Sequence, residues 1–303
     1  LTQRNVLAVV LWMIGTLLSF SAAAVGVRAL SKTLGVFEIL AMRNAAGIAI
    51  LLALAAPQPA LRAGFRPRRF PLHLLRNTVH FGATYTWALG ITLLPLATVF
   101  ALESTLPIWV ALLAVFVLHE RMTVGRVASI VLGFTGVLVV LRPGLESLQA
   151  GAFVVLACAF GFAVTTVATK KLTATETTFS ILLWMNLIQL PLNFACATIT
   201  NMARHGAGLA DAALGFAARL DASDVLPLLG VCVGGLSSHY CLTNAYRHGD
   251  ASMVVPLDFL RIPLIAVVGW RLYGEPLDPF VFLGSAIIIS GILWNLRAEA
   301  RRA

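Results

Sequence analysis

The chain has 303 residues, of which 59% are hydrophobic and 12% charged. Soluble domains carry about a quarter charged residues, so this chain has too little polar surface to cover a body exposed to water. Its net charge of +9 is spread over short connectors and not gathered on one face, which excludes a nucleic-acid surface.

A membrane span needs about 20 mainly apolar residues. Breaks at charge clusters and at Gly and Pro predict spans near 6–27, 34–56, 72–93, 96–118 and 124–141. A second set follows near 149–168, 177–200, 225–246, 250–271 and 279–296. The first run lacks a small-residue cleavage site leading into a soluble domain and reads as a span, not a removable signal. Very short turns, at Leu94-Pro95 and Gly249-Asp250, separate spans 3 from 4 and 8 from 9. The connector 201–224 carries Asp211, Asp221 and Asp224 among Ala, Leu and Phe, a composition that allows a short interfacial helix.

Lys and Arg set the orientation. With the N-terminus inside, the inner side holds Arg4, Arg62, Arg66, Arg68, Arg69, Arg76, Arg121, Arg126, Lys170, Lys171, Arg247, Arg297, Arg301 and Arg302. The outer side holds Arg28, Lys32, Arg142, Arg204, Arg219 and Arg271. Fourteen against six predicts two cytoplasmic termini. Cys158, Cys196, Cys232 and Cys241 lie in or beside apolar runs without ligand spacing, so neither a disulfide nor a metal is expected.

The chain also repeats itself. Glu120 and Glu275, Gly136 and Gly291, and Glu103 and Asp258 are each 155 residues apart. The expected organisation is all-α, with ten spans as two five-helix repeats, 1–147 and 148–303. Five is odd, so the second repeat enters the membrane inverted, an arrangement of secondary transporters.

Ionisable groups inside spans are costly and are functional candidates. Arg43 lies in span 2, Glu103 in span 4, and Asp258 with Arg261 in span 9. Asp258 and Arg261, three apart, share a helix face. Structural ion pairs (Asp258–Arg261, Arg43–Glu103) and a place on a cavity wall are both open readings. His80, Tyr85, Trp87, Trp109, Trp184, Asn186, His239 and Tyr240 also lie inside spans, where rings with polar tips suit a small-molecule pocket. Trp12, Trp270 and Trp294 read as interface anchors. Glu120 and Glu275 end their spans, as caps or as gates. Gly133, Gly136, Gly284 and Gly291 allow close helix approach.

No enzyme motif is present: no HExxH, CxxC, phosphate loop or serine elbow. His119-Glu120 has Thr123 where a zinc pair needs its second His. No cofactor is expected, and the connectors are too short for a nucleotide domain. A secondary carrier, a channel or a passive scaffold remains.

Phe116-Val117-Leu118-His119-Glu120 with Gly133 and Gly136, and Arg271-Leu272-Tyr273-Gly274-Glu275-Pro276 with Gly284 and Gly291, resemble the paired repeats of the drug/metabolite transporter superfamily, EamA branch. Met42-Arg43-Asn44 is similar to the arginine often found in that family's second span. The second half has Asn186 near the matching place, which argues against a symmetric role. The resemblance implies that spans 3, 4, 8 and 9 line a central cavity, spans 1, 2, 6 and 7 move around them, and spans 5 and 10 are peripheral. It implies a monomeric exporter in a bacterial inner membrane working by alternating access, with protons as a candidate coupling ion. The first-ranked cargo is an aromatic or other neutral amino acid. The expected substrate site comprises His80, Tyr85, Trp87, Glu103, Trp109, Trp184, His239, Tyr240 and Asp258; Arg43, Glu120, Arg261 and Glu275 are expected to pair helices or gate. S-adenosylmethionine or another organic cation is the competing cargo, and a non-transporting scaffold the competing class.

Overall fold

The computed structural model describes residues 5–93, 99, 102–142, 150–205, 208–274 and 279–300. Among these residues there is no strand, as hydrocarbon requires of any segment that cannot close a barrel: only a helix satisfies its own backbone. The principal helices are α1 (Val6–Leu30), α2 (Val36–Ala55), α3 (Phe70–Leu93), α4 (Leu106–Leu118) and α5 (Val124–Leu141). They continue with α6 (Ala150–Thr173), α7 (Thr178–His205), α8 (Val225–His248), α9 (Arg261–Tyr273) and α10 (Pro279–Ala300). In the connector 201–224, beyond the end of α7 at His205, the only α-helix among the described residues is Leu209–Leu214.

Among the described residues seven segments are long and apolar enough to cross a bilayer: Val6–Leu30, Val36–Ala55, Gly151–Thr173, Thr178–Ala203, Ala222–His248, Ala251–Leu272 and Pro279–Ala298. Leu106–Leu118 and Val124–Val140 are apolar but shorter. At 1.5 Å per residue, the 13 residues of α4 reach about 20 Å of a core about 30 Å thick. The remainder of the predicted fourth span, with the Leu94-Pro95 turn, falls largely outside the described residues. α3 has the length, but His73, Arg76, Asn77 and His80 lower its hydropathy.

The later helices of each half repeat in register. α3 and α8, α4 and α9, and α5 and α10 each begin 155 residues apart; the first two pairs also end 155 apart. α4 closes on His119 and α9 on Gly274, again 155 apart, both left-handed with φ 55° and 68°. The α-helix is interrupted just ahead of both: by a turn at Ser104-Thr105 before α4, and by 3-10 helix over Val255–Leu260 before α9. Glu103 and Asp258 stand at these two interruptions.

The chain divides into two compact units: residues 1–17, 79–174 and 242–303, and residues 18–78 and 175–241. In the first, Val9, Met13, Val110, Val137, Met253, Phe259 and Ile288 form the core. α5 packs along α10 and α4 packs on α6. Small residues allow the α5–α10 approach, since a Cβ at Gly136 would lie 2.6 Å from the Gly284 carbonyl oxygen. In the second unit α2 lies along α7, with Leu51, Phe179, Leu182 and Met185 in one cluster and Leu30, Leu34, Ile39 and Val231 in another.

Candidate transport site and its supporting clusters

Four predicted residues come together in the first unit. The Trp87 indole N–H donates to Glu103 Oε2 at 2.8 Å. Arg261 Nη2 donates to Asp258 Oδ2 at 2.5 Å. The Arg261 charge interacts with both Asp258 and Glu103, and the two carboxylates act on each other. Two acids thus share one guanidinium at the helix interruptions, and all three side chains are only partly buried. Nearby, Trp109 stands edge-on to Phe160 with ring centroids 5.6 Å apart. His80 packs against Phe162 at 5.5 Å.

The remaining predicted residues are placed separately. Tyr85 and Tyr240, 155 apart on α3 and α8, are 51% and 44% exposed. A half-exposed ring on such a helix faces lipid or an aqueous cavity. His239 beside Tyr240 is partly buried. Trp184, in the second unit, meets Phe70 edge-on at 5.2 Å and lies 6.5 Å from His73. Arg43 donates to Asn44 Oδ1 at 3.4 Å, and Gly235 packs so close that a Cβ there would lie 2.7 Å from Arg43 Cδ. Asn186 bonds the Leu182 carbonyl at 2.8 Å. Glu275 lies outside the described residues.

Glu120 reaches the α8–α9 corner. Its carboxylate accepts the Ala251 N–H at 2.8 Å, the Ser252 N–H at 3.0 Å and the Ser252 hydroxyl at 2.5 Å. The two N–H groups are orphan donors of a helical first turn, where a negative charge is favourable. Arg126, whose side chain is fully buried, donates to Ser252 Oγ at 2.7 Å and Asp250 Oδ2 at 2.8 Å. Lys170 from α6 donates to the carbonyls of Tyr246 and Gly249, both at 2.6 Å. The corner is therefore held by three charged side chains from three other segments.

Two buried clusters in the second unit escaped the sequence reading. Glu176 accepts the backbone N–H groups of Arg68 and Arg69 at 2.6 and 3.0 Å and the Ser180 hydroxyl at 3.1 Å, with His73 Nε2 at 3.7 Å. Glu38 accepts the Gly35 N–H at 2.6 Å and Asn201 Nδ2 at 2.7 Å, and pairs with Arg219. The one available signal was local: Glu38 falls at the third position of α2, where a carboxylate can fold back on the cap residue. Among the described residues no group of three or more His, Cys, Asp and Glu side chains is arranged to hold a metal.

The model of the EamA-like transporter family matches this sequence twice, over residues 7–142 and 149–297. The chain belongs to that family. It is 30% identical over 292 residues to a protein of Rhizobium johnstonii named riboflavin transporter, covering 96% of this chain and 92% of that one. It is 23% identical to a Rickettsia bellii protein named S-adenosylmethionine uptake transporter, covering 96% and 94%. A solved crystal structure shares the fold with a TM-score of 0.78 at 18% identity, covering 96% of this chain and 98% of the other. The family member described here is thus a multi-pass, small-molecule transporter and not an enzyme.

Proposed function

We propose that this transporter carries a small planar aromatic metabolite of the flavin kind across the cytoplasmic membrane of a bacterium by alternating access. The observation that carries the cargo is the 30% identity, over nearly the whole of both chains, to a protein named riboflavin transporter. The side chains suit it. Tyr85 and Tyr240 offer half-exposed rings at matching positions, and Trp87 sets an indole beside the Glu103 carboxylate. Ring faces stack on a flat heterocycle, while a few fixed polar groups orient it. His80, Trp109, Trp184 and His239 complete the proposed substrate-facing set; Arg43 and Glu120 hold helices.

The amino-acid cargo and the outward direction expected from the sequence have no counterpart in the relatives' names. The second reading is S-adenosylmethionine, named for the Rickettsia relatives and favoured by one local feature: two carboxylates against one guanidinium would welcome a cationic cargo.

The mechanism rests on two inverted halves of five spans, 1–147 and 148–303. The constant offset of 155 through the last three helices of each half, and the family model's two matches, support that reading. Polar contacts agree with which connectors are expected to share a side. Glu176 joins connectors 2–3 and 6–7, and Glu120 and Arg126 join 4–5 to 8–9, all expected inside. Glu38 and Arg219 join the start of span 2 to connector 7–8, expected outside. The deciding measurement is counterflow in proteoliposomes with labelled riboflavin, S-adenosylmethionine and phenylalanine. Riboflavin should exchange fastest, and Tyr85→Ala and Tyr240→Ala should slow it at normal protein abundance. Faster exchange of either other solute would overturn the flavin reading.

A further inference from the structure

Arg43 is a charge deep in the second unit without a counter-charge. It is the eighth of the 20 residues of α2, about 10 Å along the axis from its start. Its stem packs on Gly235, the eleventh of the 24 residues of α8, so neither helix is near an end at this contact. Among the described residues the guanidinium makes one hydrogen bond, from Nη2 to Asn44 Oδ1, and it is long at 3.4 Å. The one titratable side chain acting on it is Cys232, and a thiol is no counter-charge. The second unit has five acids, all placed elsewhere. Glu38 pairs with Arg219, Glu176 accepts the Arg68 and Arg69 N–H groups, and Asp211, Asp221 and Asp224 belong to the connector 201–224.

The Arg43–Asn44 pair offers donors only. Asn44 Oδ1 already faces Arg43, and its Nδ2 is buried without an acceptor among the described residues. The Arg43 side chain is only partly buried, and none of its nitrogens is both enclosed and unpaired. An ionisable group inside a span that is not paired marks a substrate or ion path. A guanidinium fork matches two oxygens of a phosphate or carboxylate. We propose that Arg43 is an oxyanion subsite, its fork holding a phosphate or carboxylate of the cargo beside the Asn44 amide. The inference takes its cargo from the flavin reading above, on which the group is the phosphate of riboflavin 5′-phosphate. The carrier therefore accepts that ester and binds it more tightly than riboflavin. The stem still ties α2 to α8 through Gly235, while the head reads the cargo.

The experiment is a fluorescence titration of the purified full-length protein, in micelles free of phospholipid, with riboflavin and with riboflavin 5′-phosphate. Wild type should bind the ester at least about tenfold more tightly, the weight of a hydrogen bond to a charged group. Arg43→Gln should bind the ester no better than riboflavin. Arg43→Lys should keep part of the preference, since an ammonium holds the charge but not the fork. The readout is the ratio of two affinities within one variant, which a simple loss of packing leaves alone. Equal affinities in wild type, or the full preference in Arg43→Gln or Arg43→Lys, would overturn the subsite. Added phosphatidylglycerol should leave the wild-type ratio unchanged; abolition of the preference would assign Arg43 to lipid phosphate instead. A wild type that binds neither flavin would overturn the flavin reading, and S-adenosylmethionine against its decarboxylated form would then decide the subsite. Arg43→Gln should lose any preference for the carboxylate-bearing form, and binding of neither form by wild type would overturn the subsite too.

Discussion

Arg126 gives the sharpest test of how the α8–α9 corner is held. Its side chain is fully buried, while its partner Asp250 is 19% exposed. It donates to the Arg121 carbonyl at 3.1 Å, Ser252 Oγ at 2.7 Å and Asp250 Oδ2 at 2.8 Å. Arg126→Met keeps most of the volume and removes every donor. Breaking a buried ion pair from one side costs about 3–5 kcal/mol, and the partial exposure of Asp250 points to the lower end. Ser252 is not stranded, because its hydroxyl still donates to Glu120. A loss of about 3 kcal/mol is therefore expected, with the penalty concentrated on Asp250. Arg126→Lys should lose less, since a single ammonium can keep Asp250 but not the forked geometry. The assay is reversible unfolding in mixed micelles, run as a double-mutant cycle with Asp250→Asn. The double variant should be less destabilised than the sum of the single ones by at least about 1 kcal/mol. An additive cycle, or Arg126→Met within about 0.5 kcal/mol of wild type, would refute the argument.

Gly136→Ala should lower thermal stability by about 1–3 kcal/mol, because its methyl would meet the Gly284 carbonyl, a backbone atom that cannot swing aside. Gly82→Ala is the control: nothing lies within 4 Å of its added methyl, so unfolding measurements should find it neutral or slightly stabilised. Glu38→Ala should cost roughly 1–3 kcal/mol, since it takes the acceptor from the Gly35 N–H and the charge partner from Arg219, while Asn201 Nδ2 keeps the Ala212 carbonyl. Equal stability of Glu38→Ala and wild type in the same assay would show that water replaces the carboxylate.

The helices were legible because hydrocarbon leaves the chain one backbone solution, so a long apolar run specifies its own structure. The limits of that signal are equally physical. α3 is a full-length helix whose polar residues dilute its hydropathy, and α4 is apolar but short; both were placed by breaks at charge clusters and at Gly and Pro, where composition alone was weak. Asp258–Arg261 was readable because both partners lie on one helical turn. Trp87 and Glu103 were each singled out, but their bond joins residues 16 apart, which no periodicity encodes. Arg126 was harder. In the sequence it is one more positive charge beside a connector, and only its partners 124 and 126 residues away explain why it is buried. Glu176 hid for the same reason, its partners Arg68 and Arg69 lying more than a hundred residues earlier.

The two halves share a frame but not its charges, and the difference separates the roles of the two ionic clusters. Counting by 155, Glu103 answers to Asp258 and Tyr85 to Tyr240, whereas Arg261 answers to Leu106. Each break carries one acid, and the Arg261 charge acts on both. The corner held by Arg126 is asymmetric in another way. Asp250, Ser252 and Arg126 answer to Pro95, Ala97 and Val281, none of which can form an ion pair. Inverted repeats alternate access by exchanging the conformations of their halves, and equal energies at both ends of that exchange require equivalent contacts. Here the clasp joins Arg126 of residues 1–147 to Asp250 and Ser252 of residues 148–303, and the positions 155 residues away cannot repeat it. A clasp with all its donors inside one compact unit governs how firmly that unit holds together, and its loss should appear in unfolding.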